Sequence, residues 1–170
     1  MTKEQCDIFN SRLVGTMNHT LGIRFLPTDD ESVLGEMPIN ENTVQYFGIL
    51  HGGAALAMAE TLAGAGSLAI VGEYARICGL QVSGNHIGMS ATSGKVIGKA
   101  TPIHIGRTTH IWNVEIRGED GKLLSTEVPP LLWQRHLQEP EALPSLVKMP
   151  VYADFRFQVI MWACRLRRVR

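Results

Sequence analysis

Apolar positions in the first part of the chain recur at helical spacing. Ile8, Phe9, Leu13, Val14 and Met17 predict a short amphipathic helix over 3–18 that closes on the polar Asn18-His19-Thr20. The segments 21–26 and 32–39 flank a turn-prone run at 27–31, which predicts a strand, a turn and a strand. Polar and aromatic residues around Gly48 then lead through His51-Gly52-Gly53 into an Ala- and Leu-rich run. That pattern predicts a loop feeding a buried helix that starts near Gly52 and fades by Gly72. Further on, 77–89 reads as a strand carrying Gly79, Gly84 and Gly88, and 94–105 reads as another. In 107–117, Ile111, Asn113 and Glu115 alternate with Trp112, Val114 and Ile116, and 118–121 turns the chain into 122–128. One long helix followed by an antiparallel meander implies an α+β architecture, with a sheet wrapped around a central helix.

The apolar helix carries one acid, Glu60, among neighbours that give no reason for a charge. A buried carboxylate is costly unless it is paired or used, which makes Glu60 the first candidate for chemistry. At the other end, free backbone N–H groups and the positive end of the helix dipole beyond His51 suit a developing oxyanion. Glu60 lies nine positions past His51. At about 1.5 Å per residue that is roughly 13 Å along the axis, on the opposite face. One small carbonyl cannot touch both, so the simplest shared site places two copies of the helix antiparallel across a two-fold axis, with Glu60 of one chain facing His51 and Gly52 of the other.

The length suits one domain with a real core, and the formal net charge of +0 gives no support to nucleic-acid binding or to attraction by an acidic membrane. Cys6, Cys78 and Cys164 are odd in number and have no metal-type spacing, which reads as reduced thiols in a cytoplasmic protein. No signal core precedes the first helix, and no apolar run reads as long enough to span a bilayer.

Residues from about 21 to 128 resemble the hotdog-fold acyl-CoA thioesterases, in the group that includes phenylacetate-pathway, hydroxybenzoyl-CoA and 1,4-dihydroxy-2-naphthoyl-CoA hydrolases. The residues that carry the resemblance are Gln45, Phe47-Gly48-Ile49-Leu50-His51-Gly52-Gly53, Ala59-Glu60-Thr61, Asn85-His86 and Pro102-Ile103-His104-Ile105-Gly106-Arg107-Thr108. The resemblance implies a hotdog fold, homodimers that pair sheets edge to edge and usually homotetramers, and a composite thioesterase site. It makes Glu60 the nucleophile or general base toward the thioester and the Gly52 N–H the holder of its oxygen. Gln45 and His51 would orient the carbonyl and leaving group, and Thr61 would help to place water. CoA, which is part of the substrate rather than a cofactor, would contact Gly79, Asn85, His86, Ile87, Gly88 and Met89, and the loop of His104, Ile105, Gly106, Arg107, Thr108 and Thr109. Arg107 is the natural cation there for a phosphate. Relatives differ at two points: some carry a Ser where this chain has Gly64, and some carry a His-His-Arg-Pro-like run where it has His86-Ile87-Gly88-Met89.

A thioester carbonyl is electrophilic enough for a carboxylate, or a water it activates, to suffice. Two other functions compete: a non-catalytic acyl-CoA binding module, and an acyl-thioester dehydratase, which needs a differently placed His and acid pair and is disfavoured by the His-Gly-Gly loop with Glu60 nine positions later. His86, His104 and His110 match no tight metal-ligand spacing, and Trp112 reads as core.

The resemblance stops near Val128. Pro129-Pro130 is expected to break the last strand, so a hotdog domain over 1–128 gives way to an atypical tail over 129–170. Those 42 residues hold seven Lys or Arg and three acids, a net +4. The tail reads as an acquired extension, a basic interaction arm, or an altered reading frame after Ser125-Thr126-Glu127. Within it, 155–162 could supply a strand.

Overall fold

A computed structural model of the chain describes residues 1–72, 75–88 and 91–128, and the backbone of 130–135. The first helical pattern divides in two: α1 (Lys3–Arg12) is capped by Thr2, whose side chain accepts from Gln5 N while Gln5 Oε1 accepts from Thr2 N, and α2 (Met17–Thr20) is capped by Thr16. Gly15, at φ +79°, lies in the break between them.

The strands are β1 (Arg24–Leu26), β2 (Val33–Pro38), β3 (Ala75–Gly79), β4 (Gly84–His86), β5 (Lys95–Ile105), β6 (Thr109–Gly118), β7 (Leu123–Glu127) and β8 (Pro130–Arg135). They form one antiparallel sheet in which β1, β2, β5 and β6 are successive neighbours. The far side of β6 is shared, with β7 against Val114–Arg117 and β8 against Thr109–Ile111. Beyond them, β4 pairs with β7 and β3 pairs with β8. The expected strand at 77–89 is therefore two short strands with a non-strand link, together closing one side of the sheet.

Beyond Glu127 the sheet continues. Pro129-Pro130 was expected to break it, but a further strand opens at Pro130, since the first residue of a strand tolerates a missing N–H. Sheet pairing thus runs to Arg135, past the expected end of the domain at residue 128. The basic tail from 136 onward and the expected strand at 155–162 lie outside the described residues.

The central helix, α3 (Gly52–Val71), packs on β2, β3, β5 and β6. Ala54, Ala55, Met58, Ala59, Leu62, Ala63 and Gly66 turn inward onto Met37, Val96, Val114, Ile116 and Trp112. Small residues on the inner face let the helix sit close to the sheet. Ser67 is the polar exception there: it accepts from Trp112 Nε1 at 2.9 Å and meets His110 Nδ1 at 3.0 Å, which satisfies two buried ring nitrogens. Burial lowers the affinity of His110 for a second proton. At 20 residues and a mean hydropathy of 1.6, α3 is long and apolar enough to cross a bilayer by length and composition, contrary to the expectation that no such run exists. Its apolarity serves the core of the fold, because a helix covered by a sheet on one side needs no polar residues there.

Candidate active site

The N-terminus of α3 is built by His51. Its backbone is extended (φ −74°, ψ 130°), and its Nδ1 accepts from Gly53 N at 2.8 Å. In the neutral ring that assignment leaves Nε2 as the N–H donor, on an exposed residue. Among the described residues nothing accepts from Gly52 N–H, which stands as the first open donor at the positive end of a five-turn helix. The loop before it is held by Gln45 N donating to Ile49 O and by Gly48, at φ +72°, donating back to Gln45 O. The Gln45 side chain caps this loop from within, its Oε1 accepting from Phe47 N at 3.0 Å.

Glu60 is on the outer face of α3, not in the buried run in which the sequence pattern placed it. The correction has a simple cause. With Ala, Gly and Leu on every side of the helix, polarity does not mark which stripe faces out, and only packing against the sheet decides it. Gly53, Leu56, Ala57, Glu60, Thr61, Gly64 and Leu68 form the outer stripe, and they wall a cavity of about 740 Å³ together with Phe9, Leu13 and Met17 of the N-terminal segment and Ile77 and Gly79 of β3. No described residue hydrogen-bonds or ion-pairs with the Glu60 carboxylate. Thr61 is engaged: its hydroxyl lies 2.7 Å from Ala57 O and 2.9 Å from Asn18 Oδ1, so its single proton is shared between two acceptors.

The strands β3 and β4 run alongside α3 in the opposite direction, and two glycines mark where each element presses a side chain onto the other. A Cβ built on Gly79 would overlap Glu60 Oε1, so Gly79 is where the strand backbone makes room for the acid. A Cβ built on Gly52 would overlap His86 Nε2, so Gly52 is where the helix makes room for the imidazole. Gly79 had been expected to touch CoA, and its position beside Glu60 ties it to the acid as well. Likewise, His86 and Asn85 sit on exposed β4, but the His86 ring is aimed at the helix N-terminus. Ile87 and Gly88 follow, both donating to Leu124 O, and Met89 lies outside the described residues.

The remaining expected residues form a separate group. His104 and Ile105 end β5, Gly106, Arg107 and Thr108 make the exposed turn, and Thr109 opens β6. Register connects this turn to the acid: His110 pairs with Leu131, and Leu131 with Gly79, so the turn lies at the Gly79 end of the sheet.

Three contributors were missed by sequence reasoning. Asn18 reaches Thr61 from α2. Ser125 and Glu127, two apart on β7 and therefore on one face, form a chain to His86: His86 Nδ1 lies 2.8 Å from Ser125 Oγ, which donates to Glu127 Oε1. Glu127 is fully buried, and that burial pushes its carboxyl up to about 7 despite the opposing Ser125 hydrogen bond. The period-two spacing of Ser125 and Glu127 was the available signal.

Comparison with known proteins identifies the family. Residues 47–125 match the thioesterase superfamily. The chain is 37% identical over 118 residues to a 1,4-dihydroxy-2-naphthoyl-CoA hydrolase of Escherichia coli, covering 69% of this chain and 85% of the relative. It is 33% identical over 120 residues to a proofreading thioesterase of Cronobacter sakazakii, covering 71% and 87%. Among solved structures, a thioesterase from Haemophilus influenzae superposes with a TM-score of 0.75 at 30% identity, covering 80% of this chain and 94% of that one. With the sheet wrapped on α3, the glycine-opened helix start and these relatives together, the chain belongs to the thioesterase superfamily and has its hotdog fold.

Proposed function

We propose that this protein hydrolyses acyl-CoA thioesters, with an aryl or small acyl group, at a site shared between two copies of the chain. The observation that carries the reading is the placement of Glu60, a carboxylate without a described partner in the wall of an apolar cavity, over the glycine of β3. Glu60 attacks the thioester carbonyl or activates the water that does, and the CoA thiolate leaves. The Gly52 N–H holds the carbonyl oxygen, and the positive end of α3 stabilises the negative charge that develops on it. His51, whose cap leaves Nε2–H outward, and Gln45 orient the carbonyl and leaving group, and Thr61 helps to place the water.

Because Glu60 lies just over two turns, about 12 Å, past Gly52 on one helix, the acid of one chain works with the helix start of its partner. The outer sides of β3 and β4, which no described strand covers, support edge-to-edge pairing into dimers and then tetramers. CoA lies along Gly79, the 85–89 segment and the 104–109 turn, with Arg107 reaching a phosphate. No cofactor is required, and the setting is cytoplasmic. The apolar lining from Phe9, Leu13, Met17, Phe25 and Ile77 suits a flat or short acyl group, and the E. coli relative named for an aromatic CoA ester agrees in kind.

The test is release of free thiol from benzoyl-, phenylacetyl-, dihydroxynaphthoyl- and medium-chain acyl-CoA by wild type and Glu60→Ala. Release that depends on Glu60 is expected. Full activity in Glu60→Ala overturns the role of the acid, and tight binding of CoA esters without turnover would make the protein a binding module instead.

A further inference from the structure

We propose that Glu127 is a positioning residue which, acting through Ser125, decides which ring nitrogen of His86 carries the proton, and so what His86 offers to the N-terminus of α3. The connection is a single file of three side chains. His86 Nδ1 lies 2.8 Å from Ser125 Oγ, Ser125 Oγ meets Glu127 Oε1, and the other ring nitrogen, Nε2, abuts Gly52. Ser125 has one proton, and its remaining acceptor, Asn85 O, stands at 3.3 Å, longer than its contact with His86, so the file has two principal polarities. With Glu127 ionised, the Ser125 hydroxyl donates to the carboxylate, His86 Nδ1–H donates to Ser125, and Nε2 presents a lone pair at Gly52. With Glu127 protonated, its O–H donates to Ser125 Oγ, the Ser125 hydroxyl donates to Nδ1, and Nε2 carries the hydrogen.

The second arrangement holds one proton more than the first. A proton taken up at Nε2 is balanced by the Nδ1 proton passing to Ser125 and the Ser125 proton passing to Glu127, so that the acid becomes neutral and no charge stays on the ring. The protonated arrangement places an N–H donor beside the open Gly52 N–H, where an oxyanion is to be held.

A protonated Glu127 is favoured by its surroundings. It is fully buried, and no described residue hydrogen-bonds its Oε2, an oxygen far costlier to leave bare in a carboxylate than in a neutral acid. Burial also raises its carboxyl to about 7. Among the described residues, the titratable group facing it is His86 of β4, through Ser125. Its register partners, Gly84 on β4 and Val114 on β6, carry no charge, and neither does Leu56 of α3, which crowds the same Gly84.

The role in catalysis rests on the thioesterase reading, whereas the control of His86 does not, so the two are tested separately. The full-length protein labelled with ¹⁵N-histidine is followed by imidazole NMR from pH 6 to 9, with His86 assigned by the signals lost in His86→Asn. Wild type should move from the Nε2–H to the Nδ1–H tautomer as pH rises through about 7. Glu127→Gln should stay in the Nε2–H form throughout, because its amide donates to Ser125 as the protonated acid does. Ser125→Ala, which cuts the file, should show no switch tied to Glu127. A switch that persists in Glu127→Gln or in Ser125→Ala, or a wild-type ring held in one form across the range, overturns the proposal. In thiol release, wild-type kcat/KM should fall on the alkaline side by about tenfold per pH unit, as for loss of one required proton, while Glu127→Gln gives a level profile. A protein that releases no thiol defeats the thioesterase reading and leaves the NMR result to decide this one.

Discussion

The two ends of the outer stripe of α3 are finished in opposite ways. At the N-terminus the chain supplies its own support: His51 caps Gly53, and His86 is braced by Ser125 and a fully buried Glu127. Two turns on, Glu60 stands exposed against Gly79, with an open cavity beside it and no described partner. The braced end can hold donors in fixed positions, which is what stabilising a developing charge needs. The open end leaves a carboxylate free to meet whatever enters, a substrate or a second chain. The site is thus rigid where it must be preorganised and unfilled where it must receive.

The most severe test of this contrast is Glu60→Ala. Removing the proposed nucleophile or base should cost about a thousandfold or more in thiol release. Because Glu60 is exposed and makes no described bond, unfolding stability should stay within about 0.5 kcal/mol of wild type. A large loss of stability in urea unfolding would show that the open end is structural after all.

At the braced end the order is reversed, with stability at stake. The Glu127 carboxyl rises from 4.5 to about 7 on folding, so the folded state holds its proton more tightly than the unfolded one. The contribution is present in full below 4.5 and is lost as pH rises toward 7. Between pH 5 and 8 wild type should therefore lose about 2–3 kcal/mol relative to Glu127→Gln, whose amide does not titrate. Parallel stability curves for the two proteins would mean that Glu127 stays solvated.

Gly79→Ala probes the open end more gently. The added methyl meets the far end of the flexible Glu60 side chain, which can swing aside, so the fold should hold while misplacement of the carboxylate lowers kcat by about 10- to 100-fold. Unchanged kcat would separate Gly79 from the placement of the acid. The smallest effect is expected at Gly64. A Cβ there meets nothing within 4 Å, so Gly64→Ala should stabilise the helix by about 0.5–1 kcal/mol, read as a rise in thermal midpoint. A destabilised variant would mean that this stripe is already packed in solution, as it would be between two copies of α3.

Much of this arrangement was legible in the chain. The start of α3 at Gly52, the strands at 94–105 and 107–117 and the burial of Trp112 follow from periodicity, capping chemistry and glycine placement, all of which act over a few residues. Two features were misjudged because they depend on neighbours distant in sequence. The burial of Glu60 could not be read from a helix apolar all round. The strand at Pro130 looked forbidden by its prolines, yet pairing with β3 and β6 accepts a strand whose first residue lacks an N–H.

The sequence by itself determined the kind of fold and the chemistry it can carry, because helix propensity, strand alternation and a lone acid among alanines are local properties. Only the tertiary structure decided which side of α3 faces out, that Gly79 and Gly52 receive Glu60 and His86, and that Ser125 and Glu127 stand behind His86. Those are contacts between segments 19 to 41 residues apart. They exist because the sheet folds β3, β4 and β7 against one helix, and no local pattern encodes that distance.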